Sequence, residues 1–197
     1  MYKKHQFILA NNINIKRLLF FIITLLHVLS LFSQDKYITR SGHVSFVSET
    51  PLENITAINN HVSSILDVDN GAIVLQMKII SFEFEKALMQ EHFNEKYMES
   101  EKYPKSTFSG KIDDWQNINL KEGKKVDVTV KGEIEIHGVK KVITANGTLQ
   151  LKNGSINLRS KFSLKVDDFN IKILSVVRDK IAKRVDVSVD LSLKQRK

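Results

Sequence analysis

Cysteine is absent from this chain, which excludes disulfides, thiolate metal sites and a lipidated cysteine behind a leader. Proline is scarce, with two in 197 residues, and no low-complexity tract or internal repeat divides the sequence. Glycine is sparse, with eight residues, and none of them builds a phosphate-cradling loop or a dinucleotide fingerprint. There is no Gly-x-Ser-x-Gly elbow for a nucleophilic serine. Of the six histidines, the four beyond residue 33, His43, His61, His92 and His137, have no second histidine three or four residues away, the spacing a helical zinc site needs. Glu91, His92 and Glu95 read as a solvated helix face. The carboxylate pairs Glu83/Glu85, Asp113/Asp114 and Asp167/Asp168 are adjacent or alternating, as on wet strand faces and in turns. With no readable acid, base and nucleophile, the expectation is a protein that is not an enzyme and takes no metal or cofactor.

The first thirty-three residues stand apart. Lys3, Lys4, Lys16 and Arg17 make a basic start without an acid, and Leu18 to Phe32 is an apolar run interrupted by His27. A run of this length suits a signal-peptide core and is short for a span of ~20 residues. Ser33 would be the last residue before cleavage, although Leu31 is bulky for its place, and an uncleaved anchor is the other reading. Both export the domain from Gln34 to Lys197, to the periplasm or outside the cell. The leader holds four of the 30 Lys and Arg and none of the 22 Asp and Glu, so its removal takes the net charge from +8 to +4. The longest basic cluster, Lys121 to Lys125, is diluted by Glu122 and Gly123. No basic stripe interleaved with aromatics appears, which argues against nucleic acid. Mild attraction to an anionic membrane surface is compatible with the charge, and a homodimer with everything said so far.

Along Gln34–Lys197 strand signals dominate. Val44, Phe46 and Ser48 alternate with Ser45 and Val47. Pro51 to Asn60 reads as a loop or short helix, His61 to Asp67 as a strand ending at the tight-turn signal Asp69-Asn70-Gly71. Ala72 to Glu85 is nearly continuous β-former. From Lys86 to Glu99 the spacing of Leu88, Met89, Phe93, Tyr97 and Met98 predicts one or two helical turns ending before Pro104. Strands are predicted over Thr107 to Ile112, Lys125 to Lys131, Gly132 to His137, Lys141 to Gln150, Ser155 to Val166 and Arg184 to Leu193, with a helical turn at Val176 to Lys183. In the last strand Val185, Val187, Val189 and Leu191 face one way, and Asp186, Ser188, Asp190 and Ser192 the other. The sequons at Asn54, Asn146 and Asn153 fall in turn-like places. About eight strands joined by short turns, each with one wet and one apolar face, predict an all-β domain. A closed or nearly closed antiparallel eight-stranded barrel with one or two short helices fits them.

Two blocks carry a more specific signal. Glu101 to Ile112 contains Tyr103-Pro104 feeding a strand with Phe108 and Ser109. About twenty residues on, Lys131 to Thr144 is a hairpin with Gly132, Ile134, His137, Gly138, Val139, Lys140 and Lys141. In this order the blocks resemble the YceI-like family of polyisoprenoid-binding proteins, and the resemblance extends over roughly Gly42 to Leu193. It implies a lipocalin-like barrel and a lipid ligand. Where that family has an Arg-Asp pair, this chain has Lys86-Ala87, so a role of that pair does not transfer. His137 is expected to fix its hairpin by local hydrogen bonds, with a ligand contact as the lesser alternative.

The apolar strand faces are the remaining candidates for a site. If the barrel is hollow, its wall would be Phe46, Leu75, Met77, Phe82, Phe84, Phe108, Val128, Val130, Ile134, Ile136, Phe162 and Leu164. Met77, Met89 and Met98 would lend it compliance. The same faces would equally fill an ordinary core. Three functions therefore stand open: a carrier of a polyisoprenoid, quinone-like or other amphiphilic lipid, suggested by the resemblance; a filled interaction module; and, least supported, an enzyme.

Overall fold

A computed structural model describes residues 36–196; the leader and its cleavage site lie outside the described residues. The alternating segments form β1 (Lys36–Glu49), β2 (Asn54–Asp67), β3 (Ala72–Lys78), β4 (Glu83–Phe84), β5 (Lys105–Ile112), β6 (Lys125–Ile136), β7 (Val139–Lys152), β8 (Ser155–Lys165) and β9 (Arg184–Gln195). All pairings between them are antiparallel, and β1 pairs with both β2 and β9. Eight strands thus close on themselves and leave no edge. The two-residue β4 is an appendage on β2, with Phe84 opposite Ala57. Among the described residues one α-helix, α1 (Ala87–His92), continues as a π-helical turn over Phe93–Tyr97. This is the all-β barrel the alternation predicted.

Two boundaries differ from the sequence reading. Pro51 to Asn60 is neither loop nor helix beyond its first residues, because β2 begins at Asn54. Its inward positions are Ile55, Ala57 and Asn59, and the last two are too small and too polar to extend an apolar face. Asn59 is fully buried and satisfied: its Nδ2 donates to the Lys78 carbonyl at 3.0 Å and its Oδ1 accepts the His61 N–H at 2.9 Å. The second difference is that Lys125 to Ile136 is one strand, not two segments. Gly132 sits inside it because it faces Gly110 across the pair, and Phe108 lies over both. A Cβ at Gly132 would fall 2.4 Å from the Ser109 carbonyl oxygen and 2.7 Å from the Phe108 ring. The Asn146 sequon, expected in a turn, lies in the middle of β7.

The connections sort to two ends. At one are the β2–β3 turn, the β7–β8 turn and the long segment 113–124 between β5 and β6. Trp115 from that segment covers Gly71 and donates its indole N–H to the Val68 carbonyl at 2.6 Å. Leu66, Leu149, Leu191 and Leu193 are fully buried in this half, with Ile112 and Ile156 nearly so. At the other end are the β1–β2 turn, α1, the β6–β7 turn and the β8–β9 connection.

Candidate functional site: an apolar cavity and its mouth

The barrel is filled at one end and hollow at the other. Above the packed leucines lies a cavity of about 560 Å³, within the ~300–1,000 Å³ typical of ligand pockets. Its depth is marked by Ile73 and Leu158, which also belong to the packed core. Its mouth is marked by lining residues that are themselves exposed, namely Lys86, Leu88 and Lys180. Polar groups on the wall are few. Ser106 is already spent, donating its hydroxyl to the Glu135 carbonyl at 2.8 Å. Burial pushes the Tyr97 phenol above its ordinary pKa.

Eleven of the twelve residues predicted for the wall line the cavity: Phe46, Leu75, Met77, Phe82, Phe84, Phe108, Val130, Ile134, Ile136, Phe162 and Leu164. Val128 does not. It points inward as expected, but two residues nearer the β6 start than Val130 it falls into the filled half. Alternation tells which face a residue takes, not how deep the filling reaches. Met77, Met89 and Met98 all reach the cavity. Several wall residues, among them Phe46, Met77, Phe108 and Phe162, are only half-buried although they face inward, because the surface they present belongs to the void.

Phe46, Phe82, Phe84 and Phe93 form one aromatic cluster, with centroid distances from 4.9 to 6.0 Å and tilted or edge-on rings. Phe93 brings the helical segment into that cluster, and its spacing from Met89 was the available signal. His92, read as part of a solvated face, is half-buried and lines the cavity. The sequence reading missed the contribution of the β8–β9 connection, from which Ile171, Ile173, Val177 and Ile181 reach the cavity. Their irregular backbone breaks both the helical and the strand period. Lys86, at the position where the Arg-Asp pair is missing, donates to Glu53 at 3.2 Å and ties the start of α1 to the β1–β2 turn.

The two sequence blocks meet at this end. The β6–β7 turn has His137 at φ 52° and Gly138 at φ 72°, the two-residue turn with both central residues left-handed. Tyr103 packs on it, its ring 4.5 Å from that of His137. His137 is buried, 8% exposed, and its hydrogen bonds are not local. Nδ1 donates to the Phe169 carbonyl at 3.1 Å, and Nε2 hydrogen-bonds with the Glu99 carboxylate at 2.8 Å. The expected turn-fixing role therefore widens to a bridge between the end of the helical segment and the β8–β9 connection. His137→Asn keeps a residue that tolerates the left-handed turn while removing the bridge. Half-exposed Glu99 limits the loss to about 1–2 kcal/mol. The expected result is a melting temperature lower by roughly 2–8 °C and faster exchange of any bound lipid, read by stopped-flow displacement.

Among the described residues no cluster of histidine and carboxylate groups could hold a metal ion, and no helix is long and apolar enough to cross a membrane. Solved structures share the architecture. A polyisoprenoid binding domain from Saccharophagus degradans implicated in plant cell wall breakdown superposes with a TM-score of 0.73 at 17% identity, covering 83% of this chain and 100% of its own. BcnA of Burkholderia cenocepacia gives 0.65 at 17% identity, covering 77% and 95%. A Campylobacter jejuni YceI protein gives 0.51 at 17% identity, covering 72% and 84%. No curated protein matches the sequence. The model of the YceI-like domain matches residues 37–193, nearly the whole barrel, and the chain belongs to that family.

Proposed function

We propose that this protein is an exported carrier that sequesters a long apolar lipid, a polyisoprenoid, quinone-like molecule or other amphiphile, in the open half of its barrel. One observation carries the reading: an apolar void of about 560 Å³ opens at one end of a barrel whose other end is tightly filled. A filled interaction module has no need of that void. Burial of hydrocarbon is worth about 0.8 kcal/mol per methylene, so a chain of some fifteen carbons offers roughly 12 kcal/mol before the cost of association. The wall needs no charged contact to hold it. The relative from Saccharophagus degradans is described as polyisoprenoid-binding, which agrees with such a cargo. The basic, acid-free start and apolar run of the leader support export, with the barrel acting as a binder rather than a catalyst.

Displacement of a fluorescent fatty-acid probe by farnesol, geranylgeraniol and longer prenols tests the cargo. Affinity should rise with chain length until the cavity is full, and an absence of probe and prenol binding would overturn the reading. Export is tested separately by sequencing the N-terminus of protein recovered from cell fractions. A periplasmic or secreted form beginning at Gln34 is expected, and a cytoplasmic chain beginning at Met1 would refute it.

A further inference from the structure

The β8–β9 connection brings exposed apolar side chains and cations together at the cavity mouth. Its base is pinned: the Val166 N–H donates to the Lys183 carbonyl at 3.0 Å, and the Ala182 N–H to the buried Ser48 hydroxyl at 2.8 Å. Between these anchors it projects a short 3-10 helix, Ser175–Lys180, at the cavity mouth. Its inner side, Ile171, Ile173, Val177 and Ile181, closes part of the cavity wall. Its outer side shows the opposite of a wet surface. Val176 is 83% exposed and Leu174 55%, and Leu88 of α1, which also lines the cavity, is 60% exposed.

Along this limb positive charge predominates. From Ile171 to Arg184 there are five cations, Lys172, Arg178, Lys180, Lys183 and Arg184, against one carboxylate, Asp179. That excess equals the net +4 of the entire Gln34–Lys197 domain. Asp167 and Asp168 lie earlier in the connection, in the turn that packs against β7 and β8. The carboxylates Glu91 and Glu95 belong to the helical segment of α1, another part of the mouth. Exposed apolar side chains in a limb with an excess of cations, beside an opening into an apolar cavity, match the layered chemistry of a lipid surface: anionic headgroups outside, hydrocarbon a few ångströms below.

We propose that the limb from Ile171 to Arg184 is a docking surface for an anionic lipid bilayer. Leu174 and Val176 enter the interface, Lys172, Arg178, Lys180 and Lys183 meet the headgroups, and the cavity mouth is held against the membrane. Its purpose, uptake or delivery of cargo without passage through water, rests on the carrier reading; the docking itself does not.

The test uses the exported protein as purified from its host, with large vesicles of phosphatidylcholine alone or mixed with phosphatidylglycerol, separated by sedimentation. Binding is expected to the mixed vesicles and to weaken with salt. Leu174→Ser with Val176→Ser should weaken it at least tenfold. Lys172→Gln, Arg178→Gln and Lys183→Gln should each weaken it about fivefold. None of these five residues lines the cavity, so probe binding measured without vesicles should not change. No binding to mixed vesicles, or binding untouched by the Leu174 and Val176 changes, overturns the proposal. Equal capture by heparin, sensitive to the cations alone, would also overturn it by marking a soluble polyanion as the partner. Vesicle binding without prenol binding would sink the carrier reading and leave the docking surface standing, and the reverse result would do the opposite.

Discussion

Val187→Trp is expected to lower lipid affinity more than tenfold while leaving the melting temperature within about 2 °C. Val187 stands on the inner wall of β9, directly opposite Phe46 on β1 and Phe162 on β8, and it lines the cavity while only half-buried. An indole there extends into empty space. In a close-packed core such an insertion costs about 1–3 kcal/mol through forced rotamers and backbone shifts; in the void it gains contacts instead, and the occupied volume is taken from the cargo. Probe displacement and a thermal melt on one preparation read both quantities. Full affinity in the variant would place the lipid elsewhere, and a collapse of stability would mean that the upper half is packed after all.

The companion change acts on the other half. Leu191 is 0% exposed among Leu66, Leu149 and Leu193, and Leu191→Ala should cost about 3 kcal/mol through lost transfer energy and the cavity left behind. For a barrel of this size that lowers the melting temperature by roughly 6–12 °C. Met77→Ala removes a side chain of similar bulk from the wall of the void, where neighbours exist on one side only. Its cost should stay below about 1.5 kcal/mol. The contrast between the two substitutions is the energetic signature of a barrel that is half core and half container. Equal losses would contradict that division.

Much of this was legible in the chain. Strict alternation over Val185 to Leu191 places a whole strand and its inward face, and the same rule brought eleven wall residues to one cavity. It failed where the inward residue is not apolar, as at Asn59 in β2. It was silent on depth, which is why Val128 was grouped with Val130. The Tyr103-Pro104 and His137-Gly138 blocks identified the family, yet their chief physical work is to hold the mouth together, through Tyr103 on the turn and His137 between Glu99 and Phe169. The β8–β9 connection showed its helical turn, found at Ser175–Lys180, but not its share of the cavity wall, because Ile171, Ile173, Val177 and Ile181 follow no single period. Its inner isoleucines and outer cations are separated by a fold that only tertiary contacts impose.

Native mass spectrometry of the protein recovered from its own compartment, paired with solvent extraction of the same sample, tests the central claim most directly. The account predicts a discrete added mass at about one molecule per chain, lost on extraction and found in the solvent as a long apolar lipid. A bare protein mass that gains nothing on incubation with prenols, quinones or fatty acids would contradict it.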